Sequence, residues 1–152
     1  MSAPTGKASL AVTATYALLR VFSALFFMQA GGMKLFHWFG GMPGGATAAL
    51  GTQVWWAGML EVFGGTLLLL GLGTRPVAFI LSGEMAVAYW QFHAPHGGIW
   101  PVQNNGMAAA LLAFLFLFMA AYGGGDWSVD AMIRRMRGPR AAAPLTVSPG
   151  AR

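Results

Sequence analysis

Four long apolar runs, at residues 12–35, 54–72, 77–92 and 107–122, constrain this chain more than any motif in it. Each approaches the roughly 20 residues that carry a helix through the hydrocarbon core of a bilayer. Lipid offers no partner to backbone N–H and C=O groups, so a spanning segment must pair them internally, and at this length it does so as an α-helix. The expected fold is an all-α membrane protein, a bundle of four transmembrane helices. Composition agrees: 57% of the 152 residues are hydrophobic and 9% are charged, with a mean hydropathy of +0.60. Soluble domains carry roughly 25% charged residues. Four spans with their loops leave no length for a separate soluble catalytic domain.

The segment GLGTRP at 71–76 ends one run with glycine and opens the next with Pro76, which predicts a tight antiparallel hairpin between the second and third spans. The connections at 36–53 and 93–105 hold no Lys, Arg, Asp or Glu, whereas Lys7, Arg75, Arg134, Arg135, Arg137 and Arg140 fall on one side of a four-span layout. The positive-inside rule then puts both termini in the cytoplasm and the Trp-rich connections outside, where Trp38, Trp55, Trp56 and Trp100 suit an interfacial belt. This reading divides the chain into an N-terminal cytoplasmic segment at 1–11, a membrane domain at 12–130 and a basic tail at 131–152 that is expected to be disordered. Lys7 before an apolar run imitates a secretory signal, but Arg20 interrupts the run and QAGG is a poor cleavage site, so an uncleaved first helix is expected. The basic balance marks membrane orientation, and no nucleic-acid partner is expected.

Two of the four acids, Glu61 and Glu84, lie deep inside apolar runs, where an ionised carboxylate is costly and needs a partner, a proton or a ligand. Counting about 1.5 Å per residue from the cytoplasmic ends of their spans puts them at similar depth, and Arg20 at a comparable depth in the first span. An Arg and two Glu in one layer would form a buried ion network. Lys34, about 21 Å further along the first helix on nearly the same face, is expected to cap that layer from the outer side. Gly58, Gly64 and Gly65 make a small-residue stripe beside Glu61 that admits a neighbouring helix. Gln29, Gln91, Asn104 and Asn105 add polar groups to the candidate pocket. Three readings stay open: a pocket that takes a small polar or quinone-like headgroup or relays protons, with Glu61 and Glu84 as its working acids; an Arg–Glu pair that only fixes helix packing, with the second Glu kept protonated; and charges that face another subunit of an assembly.

Weaker signals carry less. His37, His93 and His96 lie in outer connections, and Ala94 and Pro95 between the latter two prevent a regular ligand pair, so no metal site is expected. The chain has no cysteine and hence no disulfide, thiol relay or thiolate-held cluster. No GxGxxG, Walker, HExxH or GxSxG pattern occurs.

The ordered set LLRVFSALFFMQAGGMKLF, EVFGGTLLLLGLGTRPVAFIL and GEMAVAYWQFHAPHG resembles the DoxX family of small four-helix bacterial and archaeal membrane proteins over about residues 16–130. The resemblance implies a four-helix bundle associated with membrane redox systems, since the relatives DoxD and DoxA form a thiosulfate:quinone oxidoreductase. Where many relatives carry Asn-Gly-Gly-Glu at the fourth helix, this chain has Asn104, Asn105, Gly106 and Met107, so that carboxylate is missing. The functional expectation is an integral subunit of a redox complex in the bacterial cytoplasmic membrane, multi-pass and quinone-linked, with no covalently bound cofactor and with other membrane or redox subunits as partners. The alternative is a noncatalytic subunit that stabilises a larger membrane assembly.

Overall fold

The computed structural model describes residues 6–137, with side chains from residue 9 onward. The chain forms α1 (Gly6–Phe36), α2 (Gln53–Leu70), α3 (Thr74–Ala88), α4 (Met107–Tyr122) and a short α5 (Val129–Met136), with no strand among the described residues. A π-helical turn at Tyr89–His93 and a 3-10 turn at Ala94–His96 prolong α3. The four long helices alternate in direction. The Ser9–Phe36 part of α1 and the whole of α2 are each long and apolar enough to cross a membrane, and α4 is a shorter apolar helix.

Local chemistry sets the ends of these helices. The Thr52 hydroxyl accepts the Trp55 amide and so starts α2, while Gly71, at φ 68°, ends it in the left-handed conformation that glycine adopts without a Cβ clash. Its amide returns to the Leu67 and Leu68 carbonyls. Gly73, also left-handed at φ 59°, leads directly into α3 and completes the short hairpin.

Packing follows the small residues. A methyl group added at Gly31 would stand 2.7 Å from the Gly58 carbonyl oxygen, so α1 and α2 touch backbone to backbone there. Met28 fills the space above Gly65, and Leu81 of α3 that above Gly64. The closest helix pairs are α1 with α2 and α3 with α4, with a lighter contact between α2 and α3. Between the two pairs lies a core of Ala24, Phe27, Leu68, Leu81, Phe116 and Met119, in which Phe27 meets Phe116 edge to face at 4.9 Å between ring centres. Large apolar side chains also cover the outside: Phe26 and Phe79 are each 65% exposed and Phe114 is 73% exposed. Such a surface suits lipid rather than water.

Two boundaries differ from the sequence reading. α1 starts at Gly6 and not at residue 12, and it overhangs the other long helices by several turns. Residues 131–136, assigned to the tail, belong with Val129 and Asp130 to α5, because the Ser128 hydroxyl caps the helix at the Ala131 amide and Asp130 ties it to the α2–α3 turn. The rest of the expected tail, 138–152 with Arg140, and residues 1–5 lie outside the described residues.

Candidate functional site

The helix register decides which charged groups meet. Packing of Leu81 over Gly64, and a 2.6 Å hydrogen bond from the Gln53 side-chain amide to that of Gln91, align α2 and α3 so that Glu61 and Glu84 face each other at one level. The Gly31–Gly58 contact aligns α1 with α2 and brings Lys34, one turn beyond Gly31, to that same level. There the Lys34 ammonium donates to Oε1 of Glu61 in a salt bridge. The carboxylate end of Glu61 is almost wholly enclosed, and the Lys34 side chain is 23% exposed. Glu84 stands within electrostatic reach of both. The second oxygen, Oε2, of each acid is buried and has no hydrogen-bond partner.

This corrects the expected role of Arg20. It does not reach the acids: its Nη1 donates to the Gly124 carbonyl at 2.5 Å and its Nη2 to the Trp127 carbonyl at 2.8 Å. The reason is the overhang of α1. Depth counted from the start of the apolar run places Arg20 mid-bundle, whereas fourteen residues of α1 precede it, about 21 Å of helix. Arg20 therefore lies level with Gly71 at the end of α2. Together with Tyr16, whose hydroxyl donates to the Gly123 carbonyl, it holds the α4–α5 connection. Lys34, expected as an outer cap, is instead the direct partner of Glu61. The glycine register of α1 on α2 is the signal for that pairing, since it sets which turn of α1 faces Glu61.

The amide residues divide as well. Gln29 is exposed on the outer face of α1, away from the cluster, and Gln91 is exposed and bonded to Gln53. Asn104 is buried but fully used in its own loop: its side-chain nitrogen donates to the Gly98 carbonyl and the Tyr89 hydroxyl, and its oxygen accepts the Gly106 amide. Asn105 is exposed with a left-handed backbone at φ 56°. Neither asparagine joins the cluster.

The three histidines each bond a backbone carbonyl, His37 that of Gly45, His93 that of Asn104 and His96 that of Phe92. Among the described residues no three His, Cys, Asp or Glu side chains come together as a metal-ligand group. A cavity of about 530 Å³ lies at the opposite, basic end of the molecule, lined by Thr74, Arg75, Tyr122, Asp126, Asp130 and Arg134. It is separate from the acid cluster. The Lys34–Glu61 pair lies within the helix packing, and this cavity lies at the end of the molecule.

The family model described as DoxX matches residues 15–94. A relative described as an uncharacterized protein, from Haemophilus influenzae, is 39% identical over 116 residues, covering 75% of this chain and 87% of its own length. No solved structure matches.

Proposed function

The chain belongs to the DoxX family of membrane proteins, and on that premise we propose that it is a quinone-linked subunit of a membrane redox complex. Its working site in this reading is Lys34, Glu61 and Glu84. The observation that carries it is that Oε2 of Glu61 on α2 and Oε2 of Glu84 on α3 are each buried with no hydrogen-bond partner. Helix packing alone is served by one Lys–Glu pair, and a second buried acid with a free oxygen adds cost without adding contact.

The donor set suits a quinone headgroup: an ammonium to donate to a carbonyl oxygen, and two carboxyl groups able to give and take protons. When bound, a quinone supplies two-electron chemistry in which its two oxygens take up two protons. Lys34 orients Glu61 by holding Oε1, which leaves Oε2 as the oxygen free to carry a proton. Glu84 offers the second proton-carrying oxygen on the facing helix. In this reading electrons come from a partner subunit, and the chain itself contributes no thiol.

The same reading gives four spans, α1 to α4, in the bacterial cytoplasmic membrane, with both termini in the cytoplasm. It is supported by the gathering of Arg20, Arg75, Arg134, Arg135 and Arg137 at one end and by the absence of Lys, Arg, Asp and Glu from residues 37–52 and 93–106 at the other. A noncatalytic structural subunit is the competing reading, favoured by the position of the described cavity away from the acids.

Replacing Glu61 or Glu84 with Gln separates the two. Loss of one charge-assisted contact should weaken binding of a quinone analogue by about tenfold or more and slow quinone turnover by the assembled complex. Unchanged binding and turnover in both variants would sink the redox reading. Native mass spectrometry of the wild-type protein in mild detergent gives the second readout: a retained partner chain with no retained quinone supports the structural one.

A further inference from the structure

α5 is amphipathic, but it is oriented opposite to the surface helix of a soluble domain. Val129, Met132, Ile133 and Met136 follow helical spacing and form one apolar stripe. The other side carries Asp130, Ala131 and Arg134, and it is this polar side that meets the bundle. Ala131 is fully buried, the Asp130 carboxylate accepts the Gly73 and Thr74 amides at 2.8 Å each, and Arg134 borders the cavity at the basic end. The methionine edge of the stripe points away: Met132 is 53% and Met136 71% exposed, and Trp127 just before the helix is 55% exposed, while Val129 and Ile133 are half-buried against the bundle's end. The attachment is firm. Besides Asp130, the Asp130 amide donates to the Gly71 carbonyl, and Arg20 holds the Trp127 carbonyl.

A helix that spends its polar side on its own protein and turns methionines outward matches the pattern of helices lying in a membrane interface. Arg135 and Arg137 flank the stripe and supply positive charge at that depth. We infer that α5 is an interfacial helix that docks on anionic phospholipid headgroups of the bilayer holding the protein, with Met132, Met136 and Trp127 at the acyl boundary and Arg135 and Arg137 on the phosphates. Charge complementarity selects this occupant, because juxtamembrane arginines are attracted to an anionic leaflet by a potential that decays within about a Debye length of its surface. The inference rests on the bilayer embedding of the bundle and is independent of the redox reading.

Because the chain has no cysteine, one engineered thiol gives one label. Met132→Cys and Met136→Cys, each spin-labelled in the full chain, are reconstituted in vesicles of phosphatidylcholine alone or with phosphatidylglycerol added, and Gln103→Cys in an outer loop serves as control. Accessibility to dissolved oxygen reports lipid, and accessibility to a water-soluble nickel chelate reports water. The expected result is that both methionine positions are oxygen-accessible and nickel-protected with phosphatidylglycerol, and that protection falls severalfold without it or in the Arg135→Gln/Arg137→Gln background. Circular dichroism of each variant confirms that the bundle is intact. Nickel access at both positions in the anionic vesicles would overturn the inference by placing the face in water. Exclusion of both reagents would overturn it by showing that a protein surface, a partner or a second copy, covers α5. Equal protection in the two lipid mixtures would remove the anionic headgroup as the ligand.

Discussion

Residue by residue, the pairing of Lys34 with Glu61 is the most consequential contact in the bundle. An ion pair enclosed this far is weak evidence of net stabilisation, because desolvation of two charges offsets their attraction, but removing one partner strands the other. Lys34→Met should therefore destabilise the protein toward the low end of about 3–5 kcal/mol, the low end because Lys34 keeps partial access to solvent. The double variant Lys34→Met/Glu61→Met should recover most of that loss. Thermal unfolding in detergent, arranged as a double-mutant cycle, checks both statements. A single variant as stable as wild type would mean that the two charges do not depend on each other. Spacing alone shows that Glu61 and Glu84 share a level, since two antiparallel helices joined by a short turn must align residues equidistant from it. It does not show which cation serves them. Arg20 and Lys34 lie on nearly one helix face, and only the start of α1 and the glycine contacts between helices decide which of them stands opposite the acids.

Among the elements, α4 is fully legible: its ends coincide with those of the fourth apolar run, where a glycine stands on each side. α5 is not legible from composition, because eight residues with two arginines read as a solvated tail. Its order comes from contacts distant in sequence, above all from Asp130, which caps α3 where the local residue, Gly73, has no side chain to do so. Partial burial opposes ionisation of Asp130, but the Thr74 and Gly73 amides and the nearby Arg134 outweigh it and hold the carboxyl below its usual range. For a depressed carboxyl the stabilisation is complete above the unfolded-chain value, about 3.9, and is lost as pH falls through the lower folded value. Hydrogen exchange of the α5 amides, corrected for intrinsic rate, should accordingly show constant protection from neutral pH down to about pH 4 and declining protection below it. Asp130→Asn should flatten that acid dependence and cost about 1 kcal/mol of local stability, as loss of a helix cap does. Acid-dependent loosening that persists in the Asn variant would assign it to another group.

For the molecule as a whole, the prediction concerns orientation. All described arginines gather at one end, so that end should face the cytoplasm. In intact cells, a membrane-impermeant maleimide should label Leu50→Cys, which lies in the α1–α2 loop and is 83% exposed, and should label Asp126→Cys, exposed in the α4–α5 connection, only after the membrane is opened. The reverse pattern would invert the topology, and labelling of both would exclude an odd number of crossings, and so the expected three, between them. The broad architecture is legible because lipid-scale apolar runs admit one backbone solution. The pairing within it is less so, because in a lipid-facing bundle nearly every helix face is apolar and periodicity does not distinguish interior from exterior. Gln29 illustrates this: a polar residue in the first span reads as interior, yet it stands on the outside of α1.

The four long helices form two close pairs, α1 with α2 and α3 with α4, joined mainly by a lighter contact and by bulky rings such as Phe27 and Phe116. Lys34 and Glu61 belong to one pair and Glu84 to the other. The number of protons on the acids and the spacing of the two halves are therefore linked thermodynamic variables. Sliding one half past the other changes the work of charging both carboxyls, and by reciprocity a proton gained or lost there exerts a force on the seam. A change in protonation at the level of the acids would thus be felt as a displacement along the seam between the two halves.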